Sequence, residues 1–376
     1  VFASSRPAAA LAVAAAAALA LSACSDSSSG SGIAVKATDT ECTPNSTALT
    51  AGINTFEVDN QGKKGTELYI LRPNGSTIGE RENIGPGTKV KLTVELPAGD
   101  YVVRCRPGDI GDGIKTNIKV SGATKAVQAD SRIAAAVTGY RAYVATQSAD
   151  SLALGKELQA AIAAGDLEKS KTVYAASRVG WESVEPVAEA FGDLDPEMDL
   201  READLEAGQK WTGWHVIEKG LWVQKSTAGL NPFADGLVAN LEDLGSRVPT
   251  ADITGTSMAN GAKELLDEVA TGKITGEEEA FSHLDLVDFQ ANVTGAKKVY
   301  DLLKPVVAEA QPDLAKQLDT TFAALQAELD AVRTGPGVTE FPSYDTVDKP
   351  TRDKLSAAVA GLAEPLSHLA AAVVTT

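Results

Sequence analysis

The sequence predicts an all-β sandwich followed by an all-α helical bundle. Residues 33–121 hold short runs of β-branched and aromatic residues, most of them alternating apolar with polar, separated by Gly, Pro and Asn turns. From residue 131 the chain changes to long Ala/Leu/Glu/Lys segments broken by Gly, Pro and Asp. Aromatics make up only 5% of the 376 residues. With alanine abundant, that mix favours helix packing over a large β-structure.

In chain order, residues 1–23 read as a signal segment rather than as fold. Arg6 is a thin positive region, and residues 8–21 are apolar but too short to span a bilayer. Leu21-Ser-Ala-Cys24 resembles the lipobox of bacterial lipoproteins, so cleavage is expected before Cys24 and lipid on its thiol. The Ser/Gly tract of 24–32 reads as a flexible tether. No other stretch looks long and uncharged enough to cross a membrane, so the mature chain is expected outside the cytoplasm, anchored to the cell membrane.

Strands are expected at 53–58, 67–71, 89–95, 101–104 and 114–120, with turns at Asn60-Gln-Gly62, Pro73-Asn-Gly75, Gly85-Pro-Gly87 and Pro97-Ala-Gly99. Several short strands at this spacing suggest a sandwich over 33–121. Residues 122–130 read as a short linker. Helices are expected at 131–164, 167–185, 186–191, 200–219, 233–248, 261–269, 277–309, 312–333 and 351–374, together a helical domain over 131–376. Asp166 and Asp199 look like N-caps, and Thr275-Gly-Glu-Glu278 like a capping box.

The formal charge of −17 argues against nucleic acid as a partner and is compatible with a cation ligand. Only three histidines are present. His215 stands three residues before Glu218, so on a helix the imidazole and carboxylate share a face, as a metal site requires. Trp211, Trp214 and Trp222 flank the pair and are expected to form an apolar wall. Glu182, Glu185 and Glu189 lie near one helix face with no lysine between them, a self-repelling cluster unless cations or protons are present. Glu185 is the favoured ligand of the three. Asp285 and Asp288 are i,i+3 partners, and Asp288 is the favoured ligand there. His283 is expected as a ligand or as a hydrogen-bond partner of one. His368, on an Ala/Leu-rich C-terminal helix, is expected to be structural. Carboxylates with one or two imidazoles suit iron, manganese or zinc on ligand type.

Cys42 and Cys105 remain once Cys24 is assigned to lipid, and outside the cytoplasm such a pair is usually a disulfide. Residues 24–197 contain no histidine and no methionine, which excludes a blue-copper centre from the β-region. Asp109 and Asp112 do not meet the EF-hand pattern and read as a solvated turn.

Three blocks carry a family resemblance: Trp181-Glu-Ser-Val-Glu-Pro-Val-Ala-Glu-Ala-Phe-Gly-Asp-Leu-Asp-Pro196, Gly213-Trp-His-Val-Ile-Glu-Lys-Gly-Leu-Trp222, and Thr275-Gly-Glu-Glu-Glu-Ala-Phe-Ser-His-Leu-Asp-Leu-Val-Asp-Phe-Gln-Ala-Asn292. They resemble the imelysin-like (M75 peptidase-like) domain of EfeO-type iron-uptake proteins. Gly79-Glu-Arg-Glu-Asn-Ile-Gly-Pro-Gly87 and Leu96-Pro-Ala-Gly-Asp-Tyr-Val-Val-Arg-Cys105 resemble that family's cupredoxin-like domain. The resemblance implies an extracytoplasmic protein that binds iron and delivers it to a membrane iron permease, beside a haem-containing dye-decolourising-type peroxidase. It implies His215 and Glu218 as metal ligands. It also offers an alternative to the disulfide, in which Cys42 and Cys105 bind metal with Glu67 and Glu41. Val103 stands where the family commonly has an acid, which weakens that second site. The M75 label raises a metallopeptidase alternative, but a zincin needs a second histidine at i+4, and Lys219 stands there. A non-catalytic surface scaffold is the third alternative.

Overall fold

The computed structural model describes residues 32–122 and 130–374. The expected signal segment, the lipidation site Cys24, all of the Ser/Gly tether but Gly32, and most of the linker lie outside the described residues. The described residues form one compact unit.

Among the described residues, nine strands form two sheets. β1 (Ile33–Ala37), β2 (Cys42–Pro44), β4 (Gly52–Asn60) and β7 (Lys89–Leu96) lie in the order β2-β1-β4-β7. β3 (Ala48–Thr50), β5 (Thr66–Leu71), β6 (Thr77–Ile84), β8 (Gly99–Cys105) and β9 (Ile114–Ser121) lie in the order β3-β9-β8-β5-β6. Two pairings are parallel, β1 with β4 and β3 with β9; the rest are antiparallel. Phe56, Val58, Leu92 and Val94 from the first sheet and Leu68, Ile70, Val103 and Val120 from the second are buried in one cluster, so period-2 alternation supplies the core. The sequence reading finds β4, β5, β7, β8 and β9 but not β1–β3, two of which have only three residues, or β6. The carboxylates that β6 turns to the cleft, Glu80 and Glu82, mask its alternation.

The helices are α1 (Ser131–Ala163), α2 (Leu167–Glu182), α3 (Leu194–Met198), α4 (Trp214–Trp222), α5 (Asn231–Arg247), α6 (Gly255–Thr271), α7 (Asp285–Ala310), α8 (Pro312–Val332), α9 (Lys349–Leu366) and α10 (Leu369–Val374). Asp166 caps α2 as expected, accepting from the Lys169 backbone N–H at 3.0 Å. Two expectations fail. The chain over 200–213 is mostly irregular, and α4 starts only at Trp214. Thr275 opens no α-helix: it ends a 3-10 turn, Gly276 turns left-handed, and α7 begins at Asp285. Lys349–Val374 passes as a membrane span by length and composition, which the sequence reading does not anticipate. The segment breaks near Ser367 and buries Leu355, Val359, Leu362 and Leu369 in the bundle core.

The β-region and bundle meet along α6. Arg81 of β6 forms a buried ion pair with Glu264, the Asn260 amide donates to the Thr93 carbonyl at 2.9 Å, and Thr77 donates to Glu189 at 2.5 Å.

Candidate metal centre

The centre is assembled by five segments of the bundle. α2 brings Arg178, Trp181 and Glu182 on one face, at i, i+3 and i+4 spacing. The short α4 brings His215 and Glu218. The irregular stretch before α7 brings Glu278 and Glu279, and α7 itself brings Asp288 and Asn292. Asp199 follows directly on α3. Gly213, the residue that starts α4, has φ +84°, and a Cβ there would lie 1.9 Å from the Met198 carbonyl oxygen. Only glycine lets the start of α4 sit against the backbone leading into Asp199.

His215 is 1% exposed. Its Nδ1 lies 3.1 Å from Glu218 Oε2. Glu218 Oε1 accepts from the backbone N–H groups of Phe281 and Ser282 at 2.8 and 2.7 Å. Both Glu218 oxygens are therefore engaged, one of them in orienting the ring. His215 Nε2 points the other way, 3.2 Å from Asp199 Oδ1 and 3.6 Å from Glu278 Oε1, but makes no hydrogen bond. One ligand atom each from Asp199, His215 and Glu278 lies within 4.8 Å of the others. The same holds for His215, Glu218 and Glu279, and for Glu182, Glu185 and Asp199.

Arg178, fully buried, ties the nest together. It pairs with Glu182 and Asp199, with Glu278 and Glu279 at 2.9 Å, and with Asp288 at 3.2 Å. Lys273 pairs with Glu182 at 3.1 Å and Glu185 at 3.0 Å. Trp181 donates its indole N–H to Asp199 Oδ2 at 2.7 Å, and Tyr174 donates to Glu279 at 2.9 Å. Buried carboxylates thus outnumber the cations Arg178 and Lys273. Burial drives the carboxyls of Glu185, Glu279 and Asp288 well above the usual carboxylate range. Burial also lifts Asp199 and Glu278, but it is outweighed by Arg178 and His215 at Asp199, which falls far below its usual range, and by Lys273 and His215 at Glu278, which falls to about 2. Burial and Arg178 push His215 down. The surrounding carboxylates of Asp199, Glu218 and Glu278 outweigh both and raise it well above its usual value. A nest that is short of positive charge and has one unbonded imidazole nitrogen is chemically matched to a transition-metal cation.

The nest opens outward. Glu185, Asp199 and Glu278, with Glu189 and Glu268, also line the bundle side of a cleft of about 860 Å³ between β6 and the bundle, whose other wall includes Glu80 and Glu82. Burial lifts Glu82 to about 8.

Several sequence expectations need correction. His283 is not on α7; it has φ +58°, and its ring faces Asp345 at 3.1 Å, away from the nest. Asp288 is in the nest but faces Arg178 and belongs to none of the three close groupings. Asp199 N-caps no helix; it is the C-cap of α3. Glu189 turns outward to Thr77, because α2 ends at Glu182 and a 3-10 segment, Glu185–Phe191, resets the face. Trp214 stacks near Arg178, at 5.6 Å from its ring centre, whereas Trp211 packs on Phe281 and Trp222 on Tyr174. His368 is exposed, 3.5 Å from Glu364. In the β-region Cys42 and Cys105 are joined, Sγ–Sγ 2.03 Å, bridging β2 and β8 across the sandwich. Their sulfurs are consumed, and Glu67 is held by Tyr69 and Arg106 at 2.8 and 2.9 Å. The alternative metal set of Cys42, Glu67 and Cys105 is therefore replaced by a disulfide and an ion pair. Arg178, Lys273, Glu278 and Glu279 escape sequence reading. The Gly-Glu-Glu-Glu run of the third block is the one available signal, and it lies where helical periodicity fails.

Comparison with known proteins agrees with this architecture. The imelysin (M75 peptidase) family model matches residues 136–369, and the cupredoxin-like domain model matches residues 11–113. The chain is 37% identical over 346 residues to the iron uptake system component EfeO of Escherichia coli O1:K1 / APEC, covering 89% of each chain. It is 36% identical, with the same coverage, to the EfeO proteins of Escherichia coli K12 and Shigella flexneri.

Proposed function

The chain belongs to the imelysin family, in its EfeO-type branch with an N-terminal cupredoxin-like domain, and on that premise we propose that it captures iron for a membrane uptake system. Its relatives are named iron uptake system components, which supports an extracytoplasmic role in iron uptake rather than catalysis. Iron, as Fe²⁺ or Fe³⁺, is the cargo. The observation that carries the reading is His215: buried, with Nδ1 fixed by Glu218 and Nε2 left facing Asp199 and Glu278 without a hydrogen bond. A carboxylate behind a ligating imidazole fixes its tautomer and raises its basicity. Glu218 therefore acts as the orienting carboxylate, and His215, Asp199 and Glu278 as the ligands.

The ion enters through the acidic cleft, which concentrates cations ahead of the nest, and Glu185, Asp199 and Glu278 form the inner wall it reaches first. Release is favoured by protons, because imidazole and carboxylates bind metal only when deprotonated. The lipobox-like Leu21-Ser-Ala-Cys24 supports anchoring through Cys24 to the outer side of the cell membrane, where the iron is handed to the system's permease. A haem-containing dye-decolourising-type peroxidase is the second partner the family points to. Peptidase chemistry finds no second imidazole beside His215, since Lys219 occupies the i+4 position and is held by Glu202 at 2.5 Å. Anaerobic titration calorimetry with Fe²⁺ tests the proposal. Wild-type protein should bind and His215→Ala should not, and equal binding by both would refute it.

A further inference from the structure

We propose that Tyr174 and Trp222 form an electron exit through which Fe²⁺ held at His215 is oxidised in place to Fe³⁺ by an anionic one-electron acceptor at the surface. This rests on the reading of His215 as the iron site. Tyr174 of α2 is fully buried, and its hydroxyl donates to Glu279 Oε1 at 2.9 Å. Glu279 shares a close grouping with His215 and Glu218, their ligand atoms within 4.8 Å of one another. The Tyr174 ring meets the Trp222 ring edge-on, with centroids 5.3 Å apart. Trp222 ends α4 and is half-buried, so two rings lead from the centre to solvent. Trp181 also touches the centre, through Asp199, and lies 6.5 Å from Trp214. Both of those indoles are fully buried, and that pair reaches no surface.

Charge decides from which side an acceptor comes. The cleft is walled by Glu80, Glu82, Glu189 and Glu268, which repel an anion from the direct route. Trp222 instead carries Lys171, whose ammonium lies 5.6 Å from the ring centre, and the exposed Val223 beside it offers an apolar contact. The carboxylate excess of the nest favours the more highly charged ion, so Fe²⁺ held there is the electron donor. Fe²⁺ loses one electron and the acceptor gains it. Each ring is refilled as the electron passes, with no bond made or broken and no net proton moved. Core packing alone would also bring the two rings together, but it would leave the Trp222 indole indifferent to whether iron is bound.

The test uses the full chain and hexachloroiridate(IV) as the anionic oxidant. Trp222→Phe keeps a ring at the contact and should bind Fe²⁺ like wild type by calorimetry. Stopped-flow oxidation of its bound Fe²⁺ should be about 10-fold slower, which a barrier higher by about 1.4 kcal/mol produces. Trp222→Tyr restores an oxidisable ring and should recover the rate, and Tyr174→Phe should be slow per bound iron. In iron-free protein the oxidant should oxygenate Trp222, read by mass spectrometry, and bound Fe²⁺ should protect it. The half-buried Trp211, which packs on Phe281, should react equally in both. Equal rates in wild type and Trp222→Phe, or Trp222 modified to the same extent with and without Fe²⁺, overturns the proposal. If Trp222→Phe does not fold, the iron dependence of Trp222 oxidation in wild type decides it. His215→Ala that still binds Fe²⁺ like wild type would instead overturn the site reading.

Discussion

The β-region and the bundle contain the same kinds of metal-binding side chains and treat them in opposite ways. In the β-region the two sulfurs bond to each other, and the buried Glu67 is met by one guanidinium and one phenol. Each of these three groups has a partner. In the bundle, Glu182, Glu185, Asp199, Glu278, Glu279 and Asp288 share Arg178 and Lys273, and one imidazole nitrogen has no hydrogen bond. Residue type alone therefore does not make a metal site. A buried imidazole with an unbonded nitrogen among an excess of carboxylates distinguishes the nest from the Cys42, Cys105 and Glu67 set.

The comparison can be broken most strongly at the disulfide. The bridge closes a loop with a sequence separation of 63, so Cys42→Ser/Cys105→Ser should lose about 4 kcal/mol of stability with metal stoichiometry unchanged. Chemical denaturation and metal analysis check both halves, and a lost equivalent of metal would return the cysteines to a ligand role. Next comes Gly213→Ala. The new Cβ must displace the Met198 carbonyl, and about 3 kcal/mol of stability should go. Iron affinity should fall too, because His215 and Asp199 are moved apart.

His215→Ala should weaken iron binding by about 100-fold or more, while Glu67→Gln leaves it untouched. Titration of the two variants side by side sharpens the contrast directly. The smallest effect is a pH slope. Burial lifts Asp285 from 3.8 to about 6, so the folded chain holds a proton there that the unfolded chain has lost. That contribution is complete below pH 3.8 and fades as pH rises through about 6. Asp285→Asn should remove about 2 kcal/mol of this pH dependence, measured as the difference between wild-type and variant melting curves from pH 4 to 7. A parallel pair of curves would contradict it.

Where periodicity is strong, the sequence is legible. Alternation in β4 and β7 and the Asp166 cap of α2 lead to the correct elements. His215 and Glu218 are legible as a pair because three-residue spacing on one short helix survives folding. The rest of the centre is not. Asp199, Glu278 and Glu279 lie in irregular backbone, where no period links sequence spacing to direction. Lys273 reaches Glu182 and Glu185 from 91 and 88 residues away, so the absence of lysine within the 182–189 segment gives no hint that its charge is balanced. His283 shows the converse error. Counting helical turns from Asp288 assigns it a face, but the helix starts two residues after it.

The central claim is that a transition-metal cation is captured at His215. The most direct test is diffraction from iron-soaked crystals at energies on either side of the iron absorption edge. The account predicts an anomalous peak about 2.1 Å from His215 Nε2, the usual metal–imidazole distance, with Asp199 and Glu278 completing the contact. A peak elsewhere, or none in the nest while iron is bound in solution, would contradict it.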